Sequence, residues 1–403
     1  MTRKQSLTLI LILGALSTIG PFSIDMYLPG FPAIARDLNT SISVVQLSLT
    51  SYFIGVAVGQ LLYGPLLDRF GRRIPLYVGL ILYVLASIGC ALVNTADGLI
   101  VMRFLQAIGG CSGMVAASAL VRDLFPVEKT AQAFSWIMLV IAVSPMVAPA
   151  LGGYVTAAFG WHSIFLILAA MVVLILIACH FYLPAGQGPD TSLSLRPRPV
   201  VANFVSVMRQ PQFLLYTLAG GITAAALFAY IAGSADVFMN QFGASEEEYG
   251  WIFAIIACFM IGSTQLNHLL LRHFTSAQII RTVLIGQAVV GLALVGGTAF
   301  EMLGKYEMAA LIALFFTGQG LTNPNFNALS LAPFTRNTGS AASLAGSFRM
   351  AAGGVITGLV SLLYNRTPMP MIGVMVGCVG VGLVVLLVGT SMRSFKEQAL
   401  GTI

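Results

Sequence analysis

Charged side chains are scarce in this chain. Asp, Glu, Lys and Arg make up 8% of its 403 residues, where soluble domains carry about 25%. That shortage excludes a soluble globular enzyme, and an apolar content of 58% excludes a disordered chain. Cysteine is rare as well. Cys90, Cys111, Cys179, Cys258 and Cys378 are odd in number, lie in apolar stretches and show no CxxC or other metal-ligand spacing. They read as small hydrophobic residues, which excludes a disulfide scaffold. The nucleotide-binding loop G-x-x-x-x-G-K-[ST] is missing, since Gly304-Lys305 is followed by Tyr306, so no nucleotide-driven motor is visible. HExxH and G-x-S-x-G are absent too, and His162, His180, His268 and His273 form no ligand-like set. No enzyme, cofactor or metal is expected.

Long apolar runs are abundant, and the mean hydropathy is +0.91. A spanning helix needs about 20 apolar residues, so a dozen would use roughly 240 and leave the rest for short loops. Apolar windows between turn and charge signals predict spans at 7–28, 44–66, 74–94, 98–120, 131–158, 162–183, 212–235, 249–270, 278–299, 308–331, 341–363 and 370–391. Arg103, Gly109, Gly110, Pro145 and Pro149 interrupt the fourth and fifth. Such breaks are tolerated where neighbouring helices or a cavity satisfy the freed backbone. The start, Met1–Lys4 and then an apolar run, reads as an uncleaved signal anchor.

With these spans, 15 of the 20 Lys and Arg fall on the side of the N-terminus, 3 (Arg36, Lys305 and Arg366) on the opposite side, and Arg103 and Arg349 inside spans. The positive-inside rule then places both termini in the cytoplasm of a multi-pass protein. The net charge of +6 is an orientation signal, and a nucleic-acid partner is rejected. The polar stretch 184–211, rich in Pro, Ser and Arg, divides the spans six and six. The expected organisation is an N-terminal half over 1–183, a cytoplasmic linker over 184–211 and a C-terminal half over 212–403. Two such halves with the substrate path between them is the layout of repeat-built transporters.

The loop after the second span reads Gly64-Pro65-Leu66-Leu67-Asp68-Arg69-Phe70-Gly71-Arg72-Arg73. It resembles the G-x-L-x-D-R-x-G-R-R signature of the major facilitator superfamily. Physically, Gly64 allows close helix approach, Asp68 can cap a neighbouring helix, and Arg69, Arg72 and Arg73 can hold helix ends or lipid phosphates. Arg103-Phe104-Leu105-Gln106-Ala107-Ile108-Gly109 is similar to the R-x-x-Q-G-x-G pattern of the drug/proton antiporter branch, with Ala107 replacing a glycine. Ser144-Pro145-Met146-Val147-Ala148-Pro149-Ala150-Leu151-Gly152-Gly153 is similar to its G-P-x-x-G-G pattern, with Ala148 where glycine is usual. Asp25-Met26-Tyr27-Leu28-Pro29-Gly30-Phe31-Pro32 resembles the D-x-Y-L-P-x-x-P run of the bicyclomycin/chloramphenicol-resistance subfamily. The resemblance implies an all-α integral membrane protein with twelve transmembrane helices in the major facilitator fold. It also implies a monomer in a bacterial inner membrane, a conformational switch in the Gly64–Arg73 loop, and antiporter packing by Pro145, Pro149, Gly152 and Gly153.

A carboxylate in a span costs roughly 2.5–3.5 kcal/mol even on the lenient insertion scale, so Asp25 needs a partner, a proton or water. Helical rise puts Asp25 and Arg103 in the same outer part of the bundle. They are the candidate proton-coupling pair, although Asp25 also reads as a loop cap and Arg103 as a structural arginine. Tyr27, Tyr52, Gln60, Tyr230 and Ser234 suit a wide apolar pocket with sparse hydrogen-bonding groups, of the kind that takes amphiphilic small molecules. Asn325 and Arg349 are further cavity candidates, Arg349 reading either as an attractor of anionic or zwitterionic substrate or as a partner of the polar groups near Gln319 to Asn327. Asp236 is expected at an interface, Glu246-Glu247-Glu248 in a solvated loop, and Trp161 and Trp251 as interfacial anchors. The function expected is proton-coupled export of small amphiphilic toxic compounds by alternating access. A carrier of one specific metabolite or nutrient on the same scaffold is the alternative. The partners are a small-molecule substrate, protons and the lipid bilayer.

Overall fold

The computed structural model describes residues 3–125, 127–184, 186, 188–189, 204–334 and 338–400. Side chains are described over the same residues except 3–4, 127–132, 134–135, 138–139, 142, 146, 338–339 and 392–400. The centre of the expected linker, 190–203, lies outside the described residues.

Among the described residues the chain is helical throughout. The long helices are α1 (Arg3–Asp25), α3 (Ile42–Phe70), α4 (Arg73–Leu92), α5 (Ala96–Leu124), α6 (Val127–Phe159) and α7 (His162–Tyr182). After the linker come α8 (Pro211–Ala235), α9 (Glu246–Leu270), α10 (Ser276–Ala299), α11 (Lys305–Leu331), α12 (Thr338–Leu362) and α13 (Met369–Leu400). A short helix α2 (Phe31–Asp37) continues the course of α1 beyond a single 3-10 turn, Leu28–Gly30. The chain therefore follows the twelve-helix fold that its apolar windows predict.

Ten of these segments are long and apolar enough to cross a membrane. The other two, α6 and α11, run 33 and 27 residues. The hydropathy of α11 is diluted by Thr317, Gln319, Asn323, Asn325 and Asn327, which are tolerable because the helix buries Gln319, Thr322 and Asn325 inside the protein.

Helix ends follow local chemistry. Ser41 caps α3 by accepting from the Val44 amide, Thr95 caps α5 by accepting from Gly98, and Thr275 and Gln278 form a reciprocal capping box on α10. The first span is broken after Asp25, where Pro29 and Pro32 supply no amide hydrogens to carry the ladder on. The Glu246-Glu247-Glu248 run, expected as a solvated loop, instead forms the first turn of α9, where acidic groups complement the helix dipole.

The chain divides into two compact units, Met1–Val201 with Ala235–Ala254, and Ala202–Ser234 with Ile255–Ile403. In the first, α1 packs on α5, α6 and α7, while α4 and α3 both pack on α5. Two glycines set these distances. A Cβ on Gly109 would lie 2.5 Å from the Tyr83 amide nitrogen, and one on Gly152 would collide with the Met26 carbonyl, so α5 and α6 approach α4 and α1 backbone to backbone. In the second unit α10 packs on α11 and α13, and α12 on α11 and α13.

Two more expectations change. Asp236 is buried, in a π-helical turn over Asp236–Gln241. Asn240 and Gln241 donate to its carboxylate at 2.9 and 2.8 Å, and this local turn replaces the expected interface role. Trp161 is buried too, its indole donating to Asp37 at 3.0 Å, whereas Trp251 stays exposed as an interfacial anchor would.

Candidate functional site

The centre of the first unit is a buried cation. Arg103 lies in the third turn of α5 and is wholly inaccessible. Aromatic rings from three elements surround its guanidinium, with Tyr52 on α3 at 4.2 Å from ring centre to Cζ, Tyr27 after α1 at 4.5 Å and Phe165 on α7 at 5.8 Å. The rings present their negative faces to the cation in a buried site, where such contacts are strongest.

The guanidinium is oriented by a directed chain of hydrogen bonds. Its Nη1 donates to Gln106 Oε1 at 2.6 Å, Gln106 Nε2 donates to Ser87 Oγ at 2.7 Å, and Ser87 Oγ donates to the Tyr83 carbonyl at 2.8 Å. Because Arg103 can only donate, the Gln106 amide has one orientation. Neighbouring hydroxyls are fixed in the same way. Ser48 Oγ donates to the Val45 carbonyl, so the Tyr27 hydroxyl, 2.7 Å away, is the donor to Ser48. Tyr83 and Ser23 hydroxyls meet at 2.6 Å. Nε and Nη2 of Arg103 are left buried without a hydrogen-bond acceptor.

Asp25 is the last residue of α1 and is 5% exposed. Tyr52 stands within electrostatic reach of both Asp25 and Arg103. Among the described residues no ion pair joins the two charges. Gly152 holds the Met26 backbone in place directly beside Asp25, and Pro149 lies buried one turn earlier on α6. Pro145 is half-buried on the same helix, and a Cβ on Gly153 would stand 3.0 Å from the Glu246 carbonyl. Ala107, where the antiporter pattern has glycine, lies against Gly55, whose missing side chain makes the room: a Cβ there would stand 2.7 Å from that of Ala107.

At the end of α3 the switch loop is built around Arg72. This side chain is buried and donates to Asp68 at 2.5 Å and to Asp123 at 2.8 Å. Burial opposes its charge, but Asp123 and then Asp68 outweigh that and hold the guanidinium above its ordinary pKa. Gly71 turns the chain at φ +78°, a conformation that favours glycine. Arg73 donates to the Leu183 carbonyl at the end of α7. Gly64 lies half-buried in the last two turns of α3, and Arg69 is half-buried there as well. Asp123 was not singled out in the sequence because it is 51 positions from Arg72. Gln106 was visible only as part of a pattern, and Ser87 carried no signal.

The remaining cavity candidates divide. Tyr27 and Tyr52 form walls of the Arg103 cage, and Gln60 is buried on α3. Tyr230, Ser234, Asn325 and Arg349 belong to the second unit. There Tyr230 packs on Phe316, with ring centres 5.3 Å apart, and Ser234 is fully buried. Asn325 is occupied in holding helices together, donating to Asn267 Oδ1 on α9 at 2.7 Å and to the Leu321 carbonyl at 2.8 Å. Gln319 similarly donates to the Thr223 carbonyl on α8. Arg349 donates to Asn327 at 3.0 Å.

Among proteins of known kind, the chain is similar to a bicyclomycin resistance protein homolog of Haemophilus influenzae, with 32% identity over 98% of this chain and 99% of that one. It is also similar to a chloramphenicol resistance protein of Pseudomonas aeruginosa, with 29% identity over 94% of this chain and 88% of that one. Among solved structures, it superposes on a bacterial homolog of the human lysosomal transporter Spinster in an inward-facing, unoccupied conformation. The TM-score is 0.73 at 14% identity, covering 97% and 96% of the two chains. Residues 13–358 match the Major Facilitator Superfamily pattern. With twelve long helices, the Gly64–Arg73 loop closed around a buried arginine, and this match along most of its length, the chain belongs to the Major Facilitator Superfamily.

Proposed function

We propose that this protein is a secondary active transporter that exports small amphiphilic toxic compounds in exchange for protons. Asp25 carries the proton and Arg103 is its electrostatic partner. The observation that supports this reading most is the unfinished bonding of Arg103. Two of its nitrogens are buried without acceptors while a buried carboxylate, unpaired with it, ends the adjoining helix. An unmatched buried polar group costs about 1–3 kcal/mol, and more when charged. A state in which Asp25 is ionised and turned toward Arg103 repays that cost, and a state in which Asp25 is protonated and turned away does not need to. Moving one charge through 100 mV supplies about 2.3 kcal/mol, enough for roughly a fiftyfold gradient of a neutral solute.

Under this reading the two six-helix halves, 1–183 and 212–403, alternate access to a central path. The Gly64–Arg73 loop switches between their states, and Pro145, Pro149, Gly152 and Gly153 hold α6 close to its neighbours. Tyr27, Tyr52, Gln60, Tyr230 and Ser234 face the cargo. The protein works as a monomer in a bacterial inner membrane with both termini in the cytoplasm, where the positive-inside count puts them. The names of the resistance-protein relatives agree with this cargo class.

Inverted vesicles test the proposal. With the lumen acidified, addition of chloramphenicol and a panel of unrelated drugs should trigger lumenal alkalinisation, and Asp25→Asn should abolish it at unchanged expression. Silence to every drug together with a response to one metabolite would turn the assignment to a metabolite carrier.

A further inference from the structure

The second unit is poor in carboxylates. Of the 14 Asp and Glu in the chain, its ranges Ala202–Ser234 and Ile255–Ile403 contain only Glu301, Glu307 and Glu397. Glu301 and Glu307 flank the turn between α10 and α11, and Glu397 follows the apolar part of α13. Arg349 by contrast lies about 16 Å along α12 from its start. Among the described residues it makes no ion pair, and its one hydrogen bond goes to the neutral amide oxygen of Asn327. A guanidinium with five donors and one uncharged acceptor is incompletely compensated.

Its surroundings are polar but uncharged. Arg349 lines a small pocket with Tyr216 and Thr217 of α8 and Asn323, Asn327 and Ser330 of α11. Thr217 is 9% exposed, and its hydroxyl has no hydrogen-bond partner although it is buried. Phe326 lies on the same wall. A Cβ on Gly220 would stand 2.7 Å from the Phe326 ring, so the glycine lets the ring and α8 close together. The pocket thus offers a fixed cation, a buried hydroxyl and side-chain amides.

We propose that this pocket is an oxyanion subsite, which takes the carboxylate or phosphate head of an amphiphilic molecule on Arg349 and Thr217. Guanidinium and hydroxyl donate together to one oxyanion, and the bonds are charge-assisted. Treating the bound molecule as cargo rests on the export reading above, while the chemistry of the subsite does not.

Binding to purified protein in phosphatidylcholine nanodiscs, without a proton gradient, tests the subsite. The probes are chloramphenicol hemisuccinate, which carries a carboxylate, and its methyl ester, which does not. Arg349→Gln should weaken the hemisuccinate about tenfold or more and leave the ester unchanged. Arg349→Lys should recover part of the difference, and Thr217→Val should weaken the hemisuccinate selectively by a smaller factor. Because binding is read without a proton gradient, a failure of proton coupling and a failure of the subsite are read separately. If added phosphatidylglycerol displaces the hemisuccinate from the parent protein, the natural oxyanion is a lipid headgroup, and without displacement it is cargo. Equal weakening of both probes by Arg349→Gln, unchanged binding of both, or no binding of hemisuccinate or phosphatidylglycerol to the parent overturns the proposal.

Discussion

The guanidinium carbon of Arg103 stands 4.2 Å from the centre of the Tyr52 ring, and Tyr52 stands within electrostatic reach of Asp25. A phenol ring thus stands near both a buried cation and a buried acid. A desolvated cation–π contact gives about 2 kcal/mol, less than the several kcal/mol that burying an unpaired charge costs. The rings therefore hold Arg103 without fully compensating it.

The ring face of Tyr52, and not its hydroxyl, is the part that meets Arg103. Tyr52→Phe should keep near-parental drug-dependent proton release and melting temperature. Tyr52→Leu should lose about 1–2 kcal/mol of stability and most of the proton response, as measured by thermal melting of purified protein and by vesicle pH recording.

Gly152 and Gly20 form a matched comparison. A Cβ at Gly152 collides with the Met26 carbonyl, whereas one at Gly20 meets nothing within 4 Å. Gly152→Ala should cost about 1–3 kcal/mol through a forced backbone shift and impair coupling by displacing Asp25. Gly20→Ala should be neutral in melting and transport.

The two carboxylates on Arg72 are unequal. Asp123 is 13% exposed and Asp68 53% exposed. Asp123→Asn should lower the melting temperature more than Asp68→Asn, for which about 1 kcal/mol or less is expected. Asp68→Asn should mainly slow turnover and leave the drug spectrum unchanged in a growth-inhibition panel.

Asn267 and Asn325 share a buried amide bond of 2.7 Å. Each single alanine substitution orphans a buried group at a cost of about 1–3 kcal/mol. The double substitution should cost clearly less than the two singles together, as a melting-based double-mutant cycle will show.

Much of the fold was legible because a span is long and its signal repeats. The window 212–235 became Pro211–Ala235 and 278–299 became Ser276–Ala299, each extended only by one or two first-turn residues. Local chemistry also marked the break at Asp25, through Pro29 and Pro32. Pairings between distant residues were not legible. Nothing in the composition around Asp123 or Asn267 says that Arg72 or Asn325 will reach them. Asp236 misled because distance along a helix gives depth and says nothing about which neighbour fills the space beside a side chain. Trp161 misled for the same reason.

The stretch that leaves α7 does not hang free from its last turn. The Leu183 carbonyl receives Arg73, and Gly186, at φ +68°, lies over Arg72 and Asp123, where a Cβ would come 2.8 Å from Leu120. The exit strand is therefore buttoned onto the very loop that holds the arginine network. Any side chain at position 186 would strain that fastening, since the backbone there favours glycine and Leu120 fills the space.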